Sequence, residues 1–171
     1  MSENILGLFQ EFLPANVLKG ENPDEYFAVD GILPKLVTTP ENTEQVSTIL
    51  QIATKNDLSV TPWGGGTKIN MGNYPAKLDI VLCMSAMNKI IEMRPADMTV
   101  TVQAGTKMAS IKSSLIKEGQ LLPLTSPLES RATIGGTVST NVSGYHNLIY
   151  GTARDLVIGT NFVQANGTVT K

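Results

Sequence analysis

Apolar residues recur at Ile5, Leu6, Leu8, Phe9, Phe12 and Leu13, a helical spacing that Ser2 is placed to cap and Pro14 to end. This short amphipathic helix is expected to pack on its own domain. LKGENPDEYFAVDG then reads as a polar connector closing on a small aromatic anchor, Tyr26 and Phe27. PKLVTTP predicts a short strand. ENTEQVSTILQIATKND predicts a helix, with Asn42 as N-cap, Gln45 three residues on as in a capping box, and Val46, Ile49, Leu50 and Ala53 as its apolar stripe. LSVTPW is the next strand and completes a β-α-β unit, whose crossover is right-handed in nearly all proteins. AKLDIVLCM is a strongly apolar strand. NKIIEMRP and MTVTVQAG, separated by the turn signal PAD, predict an antiparallel hairpin. TKMASIKSSLIKEG predicts a helix with Met108, Ile111, Leu115 and Ile116 on one face and Gly119 at the C′ position. The following stretch, QLLPLTSPLESRATIGGTVSTNVSGYHNLIYG, is long, rich in Gly, Ser and Thr and poor in charge, so it predicts a functional loop. DLVIGTNFVQANGTVTK closes the sequence as a strand, an Asn-Gly turn and the start of another strand.

The second strand of the β-α-β unit runs directly into three glycines, PWGGGTK at Pro62–Lys68. That is the carboxyl end of a parallel strand, where open sheets place ligands. A second glycine segment, ATIGGTVSTNVSG, spans Ala132–Gly144. Successive backbone N–H groups in tight turns form anion-binding nests, and glycine permits both the dihedrals and a close approach. The two segments together predict a grip on the two phosphates of one pyrophosphate. Hydroxyls of Thr67, Thr133, Ser139 and Thr140 are the expected extra donors, each charge-assisted bond contributing about 1.5–3 kcal/mol. Ile69 stands where a G-x-G-x-x-G fingerprint needs its last glycine, and no G-x-x-x-x-G-K-[ST] occurs. Neither a Rossmann dinucleotide site nor a P-loop is supported.

Composition narrows the classes. The 171 residues are long enough for one domain with a real core, and with 42% hydrophobic and 16% charged residues the chain is not disordered. Thirteen basic residues face 15 acidic ones, a net charge of −2, which argues against a nucleic-acid partner. A phosphate ligand must therefore be held largely by main-chain groups. The single cysteine, Cys83, lies among apolar neighbours and reads as a buried inert thiol; the single histidine, His146, cannot build a multi-histidine metal site. No metal site is expected. The N-terminus lacks the basic and apolar regions of a signal peptide, and no stretch approaches a membrane span, so a cytoplasmic location is expected.

The order PKLVTTPENTEQVSTILQIATKN, SVTPWGGGTK, DIVLCMSAMNKIIEM, TVTVQAGTKMASIKSSLIKEGQLLPL, ATIGGTVSTNVSG, YGTARDLVIGTNFVQANGTV resembles the FAD-binding domain, PCMH type, of the vanillyl-alcohol oxidase superfamily. Within it the chain looks most like the FAD-linked 2-hydroxy-acid oxidoreductases, such as the flavin subunits of glycolate oxidase and D-lactate dehydrogenase. The resemblance covers about residues 30–171 and rests most on PWGGGT followed by TIGG. It implies an α+β fold in two lobes: a small β-α-β lobe at about 30–84 and a larger mixed-sheet lobe at about 85–171, after an N-terminal helix and connector at 1–29. It also implies FAD between the lobes. Carried onto this sequence, the first loop gives Pro62, Trp63, Gly64, Gly65, Gly66, Thr67 and Lys68 as cofactor-binding. The second gives Pro127, Thr133, Ile134, Gly135, Gly136, Ser139, Asn141 and Gly144, then Tyr150 and Gly151, with Val163 at the adenine edge.

Where relatives carry a flavin covalently, a histidine ends the first loop. Here Thr67 stands there, so non-covalent FAD is expected. The family continues past this point with a further glycine-rich segment and a substrate domain. By that comparison the chain is expected to be C-terminally incomplete and, alone, short of a full active site. The resemblance implies a small 2-hydroxy acid such as glycolate or D-lactate as substrate, with other oxidase subunits or an electron acceptor as partners. No catalytic base is identifiable. Two other readings stay open: a flavin-fold scaffold that has lost FAD, and the flavin domain of an enolpyruvyl reductase.

Overall fold

The computed structural model describes residues 5–19, 25–142 and 144–171, for Lys19 the backbone alone. The expected cap at Ser2 and the middle of the polar connector lie outside these residues. The chain forms two compact units. One comprises residues 1–63, 68–86 and 161–171; the other comprises 64–67 and 87–160. The glycine stretch Gly64–Thr67 belongs to the second unit, and Asn161–Lys171 to the first.

In the first unit α1, Ile5–Gln10, buries Ile5 and Phe9. It is shorter than the apolar spacing predicts: Phe12 and Leu13 leave the helix in a turn closed onto the Phe9 carbonyl, and Phe12 is exposed. Next come β1 (Leu18–Lys19), β2 (Leu36–Thr38), α2 (Thr43–Lys55), β3 (Val60–Trp63) and β4 (Ile80–Cys83). They form one sheet in the order β1-β2-β4-β3, with β1 antiparallel to β2, and β2 and β3 both parallel to β4. The β-α-β unit is therefore present, but its two strands do not touch; β4 lies between them.

The central position of β4 explains its composition. A parallel strand covered on both faces reads as a continuous apolar run, and Ile80, Val81, Leu82 and Cys83 are all buried. Each fully buried branched side chain contributes about 1.5–3 kcal/mol. Val37, Val81 and Cys83 join Phe27, Val29, Trp63 and Leu78 in one core cluster, with Ile69 packed against it. The anchor expected at Tyr26 and Phe27 is real: both rings make edge contacts with Trp63, at centroid distances of 5.7 and 5.4 Å.

Asp79 joins the starting ends of the three parallel strands. Its carbonyl accepts the Lys35 and Leu36 N–H groups, and its carboxylate accepts the Ser59 N–H at 2.9 Å. The same carboxylate holds the ammonium groups of Lys35 at 2.7 Å and Lys77 at 3.0 Å. Helix α2 begins as predicted. Asn42 Oδ1 accepts the Gln45 N–H at 2.9 Å, while the Gln45 side chain accepts from Glu41 N, one residue before the usual capping-box donor. The Asn-Gly hairpin forms between β7 (Phe162–Val163) and β8 (Val169–Thr170), numbered after the second unit's strands. Ser47 and Thr54 of α2 donate hydroxyl bonds to the Gly167 and Ala165 carbonyls, both at 2.6 Å.

In the second unit β5 (Ile90–Arg94) and β6 (Thr99–Val102) form the expected antiparallel hairpin. Its turn uses Met98 at φ +53°. Helix α3, Met108–Lys117, buries Met108, Ile111 and Leu115. Ile116 is 68% exposed, contrary to its expected place in the stripe: it lies one residue, about 100°, round from Leu115. The helix ends as predicted, with Gly119 at φ +68°, Gly119 N–H on the Ile116 carbonyl and Gln120 N–H on the Leu115 carbonyl, a Schellman motif.

The long segment expected as a loop contains two short helices, α4 (Ile134–Ser139) and α5 (Asn147–Tyr150), and a third, α6 (Ala153–Leu156), follows directly after it. Two glycines disfavour α4. Thr133 offsets this as N-cap, its Oγ1 accepting the Gly136 N–H at 3.3 Å. Met108, Leu124, Ala132 and Ala153 form the core beneath, with Ile134, Val138 and Leu156 packed on it. Because α6 occupies residues expected to start the last strand, β7 begins only at Phe162.

Candidate functional site

The two glycine segments meet in the second unit, backbone on backbone. A Cβ on Gly64 would stand 2.3 Å from Thr133 Oγ1, and one on Gly65 only 1.9 Å from the Arg131 carbonyl oxygen. Gly66 has φ +65°, a conformation that favours glycine. The three consecutive glycines thus have an internal reason: the first ribbon must lie flat on the second. Gly135 is equally confined, with the Ala104 carbonyl 2.8 Å from where its Cβ would be.

The strap that receives the ribbon is built from residues before TIGG. Leu128 adopts φ +55°, and its carbonyl takes the N–H groups of both Arg131 and Ala132 at 2.8 Å. The strap then closes the start of α3, whose Met108 and Ala109 N–H groups bond the Ala132 and Glu129 carbonyls. Lys112 pairs with Glu129 from the same helix. The first ribbon is tied down in turn, since the Arg131 guanidinium donates to the Gly65 carbonyl at 3.4 Å.

Several groups expected to face a ligand already have partners. Ile134 N–H bonds the Thr106 carbonyl and Gly135 N–H the Ala104 carbonyl, both at 2.9 Å. Ser139 and Thr140 hydroxyls donate to the Gly135 and Gly136 carbonyls at 2.7 and 2.8 Å, and Thr137 donates to Thr133. Asn141, at φ +46°, ends α4, and its Oδ1 accepts the Arg154 N–H at 3.0 Å, which caps α6. Gly144 packs on Thr125, whose side chain a Cβ would meet at 2.4 Å. Gly151, at φ +81°, lies against Asp155. The Thr152 N–H and hydroxyl both donate to that carboxylate and hold it below its ordinary value.

Pro127, Gly136 and Tyr150 are solvent-exposed in this unit. His146 sits between Tyr145 and Tyr150, with ring centroids at 4.2 and 6.2 Å. Its Nδ1 and the Thr125 Oγ1 are buried without a hydrogen-bond partner. Of the other predicted residues, half-buried Thr67 lies in the second unit with the glycines, while exposed Pro62, buried Trp63, Lys68 and, on β7, Val163 belong to the first. Burial lowers the Lys68 pKa.

Sequence reasoning missed Arg131, Thr125 and Ala104. Arg131 stands two residues before TIGG, but nothing in its local pattern marks it; only the fold brings it to Gly65. Among the described residues the ribbon meets main-chain groups, the Thr133 hydroxyl and the Arg131 guanidinium. No cluster of three or more carboxylates, histidines or cysteines stands ready for a cation among the described residues, and a cationic side chain at the ribbon suits a polyanionic ligand.

The model of the FAD binding domain family matches residues 34–171. The glycolate oxidase subunit GlcD of Bacillus subtilis is 34% identical over 137 residues, which cover 80% of this chain and 29% of that protein. The mitochondrial D-2-hydroxyglutarate dehydrogenase of Danio rerio is 32% identical, over 99% of this chain and 33% of that one. The chain thus spans about a third of the length of these relatives. Among solved structures, Phl p 4, a grass pollen allergen with glucose dehydrogenase activity, superposes with TM-score 0.83 at 16% identity, over 96% of this chain and 37% of that one. An alkyldihydroxyacetonephosphate synthase gives 0.79 at 21%, over 100% and 34%. These likenesses establish the α+β fold. Among the described residues no helix is long and apolar enough to cross a membrane. With the family match spanning residues 34–171, the chain belongs to the FAD binding domain family of the vanillyl-alcohol oxidase superfamily, and its cofactor is FAD.

Proposed function

We propose that the chain is the FAD-binding portion of an oxidoreductase that oxidises a small 2-hydroxy acid of the glycolate, D-lactate or D-2-hydroxyglutarate type. The observation that carries this is the meeting of Gly64 and Gly65 with Arg131 and Thr133, which brings the two glycine segments together in a chain of this family. The names of the relatives supply the substrate class.

FAD supplies the redox chemistry when bound. The chain's own groups hold it. On this reading Gly64–Thr67 and the segment Pro127–Gly144 bind the pyrophosphate side, and Tyr150 and Gly151 lie further along the same path. Pro62, Trp63, Lys68 and Val163 complete the set. Thr67 keeps attachment non-covalent, because a neutral hydroxyl is a weak nucleophile without an adjacent base. Other oxidase subunits or an electron acceptor are the partners this reading requires.

An absorption titration of the purified chain with FAD tests the proposal. A saturable change in the flavin bands, with FAD released on denaturation, supports a non-covalent site. Flavin that stays on the polypeptide after denaturation refutes the non-covalent part. No spectral response at any FAD concentration refutes the binding function. Reduction of the bound flavin by glycolate, D-lactate or D-2-hydroxyglutarate then tests the substrate class.

A further inference from the structure

We propose that residues 145–150 form a flap that closes over the flavin end of bound FAD, and that Thr125 and His146 are the positioning pair that latches it. The proposal rests on the FAD reading above. It goes beyond it by assigning a movement, and two residues outside the expected cofactor set.

The segment is unfavourable in two opposite ways. Helix α5 buries no residue, and Leu148 and Ile149 are 93% and 79% exposed, with Tyr145 and Tyr150 exposed beside them. At the same time His146 Nδ1 and Thr125 Oγ1 are buried without a hydrogen-bond partner. Large apolar side chains therefore face water while polar atoms are shut away from it. Such a conflict within one short segment points to a second arrangement that relieves it. The two unpartnered atoms lie beside one glycine: Thr125 Oγ1 is 2.9 Å from where a Cβ on Gly144 would stand, and His146 follows two residues on. A hydroxyl donates and a neutral imidazole nitrogen accepts, so in the closed form Thr125 Oγ1 donates to His146 Nδ1.

The segment is able to move as one piece. Gly144 precedes it, and Gly151, at φ +81°, follows it. The N–H groups of Asn147, Ile149, Tyr150 and Gly151 bond the carbonyls of Gly144, His146 and Asn147, so the turn carries its own main-chain hydrogen bonds with it. Beyond Gly151 the chain is fixed again, where Thr152 donates twice to Asp155. Position decides what the flap covers. It follows directly on the second glycine segment and lies in the same unit as Gly64–Thr67. YHNLIY contains no Lys, Arg, Asp or Glu, and three of its side chains are aromatic rings, a face that matches a flat uncharged ring system rather than a diphosphate.

The test compares the purified wild-type chain with T125V, T125S and the double variant L148S/I149S. Each is titrated with FAD and with ADP (a diphosphate without a flavin), and the ligand-free proteins are unfolded thermally. T125V removes a hydroxyl that has no partner in the ligand-free chain, so its Tm is expected to equal or exceed that of wild type. Its FAD affinity is expected to fall about 3- to 10-fold, with ADP affinity unchanged and most of the loss restored in T125S. L148S/I149S should melt with wild type, because both side chains already face water, and should lose FAD affinity as well. Hydrogen exchange of the 145–150 amides should slow when FAD is added and not when ADP is added. Unchanged FAD affinity in T125V and L148S/I149S would overturn the proposal while leaving the FAD reading intact. A lower Tm in ligand-free T125V would also overturn it, because it would assign Thr125 a merely structural role. An equal loss of ADP affinity would overturn the assignment to the flavin end. Failure of wild type to bind FAD would refute both the flap and the FAD reading.

Discussion

Gly65 lies so close to Arg131 that a Cβ on the glycine would stand 1.9 Å from the arginine's carbonyl oxygen. The obstacle is main chain and cannot rotate away. Gly65→Ala is therefore expected to cost about 1–3 kcal/mol of stability, as overpacking does. Gly65→Asp makes the same clash with a larger, charged side chain and is worse, so it does not report on cofactor binding alone. Gly136 is the contrasting position: its Cβ would meet only Thr133 Oγ1, at 3.4 Å, inside a helix. Gly136→Ala should change stability by less than about 1 kcal/mol. Urea unfolding of both variants checks the contrast, and loss of FAD affinity in Gly136→Ala would then report on the ligand face.

Asp79 makes stability depend on acid. Burial raises its carboxyl pKa, but the Lys35 ammonium, the Ser59 N–H, Lys77 and the Ser59 hydroxyl together bring it from 3.8 to about 2. The lowered folded value means that the contribution is present above about pH 4 and disappears as pH falls through about 2. The difference amounts to about 2 kcal/mol. Asp79→Asn should lose about that much at neutral pH, and its unfolding free energy should vary less between pH 4 and 2 than that of wild type. Equal pH slopes would refute this role.

Asn141 performs two local tasks that substitution separates. Its backbone takes the left-handed conformation that ends α4, and its Oδ1 caps α6 through Arg154 N–H. Asn141→Gly keeps the first and loses the second, at a cost of about 0.5–1 kcal/mol. Asn141→Ala loses both and should cost about 1 kcal/mol more. Thermal denaturation ranks the three proteins, and a ranking with alanine above glycine would contradict the double role.

Gly119 isolates backbone strain from packing. Its φ is +68°, and a Cβ there would meet nothing within 4 Å. Gly119→Ala should cost about 1–2 kcal/mol purely from the left-handed conformation. Chemical denaturation checks this, and FAD affinity should not change.

Much of this molecule is legible in its sequence because the signals are local. Asn42 announces α2, Gly119 announces the end of α3, and the PAD turn sets the β5–β6 hairpin; each depends on residues within one turn of itself. The misses come from distant partners. Ile116 looked like stripe, but the face of α3 is chosen by what packs there. The helix in ATIGGTVST is hidden by its glycines and depends on the Thr133 cap. The triple glycine reads locally as a ligand cradle, and its fit to Thr133 and Arg131, 66 or more residues away, leaves no mark in the local pattern. The return of Gly167 to Ser47 spans 120 residues, a separation at which no spacing rule operates.

The order β1-β2-β4-β3 has a temporal side. The middle strand of the parallel trio is the last of its strands to leave the ribosome, so β2 and β3 have no common neighbour until residue 83 has been made. Before then only the short antiparallel β1–β2 pair can form, and the edges of β2 and β3 stand open. Assembly of this half therefore waits on one four-residue segment, and a chaperone holding the nascent polypeptide would shield those edges during that interval.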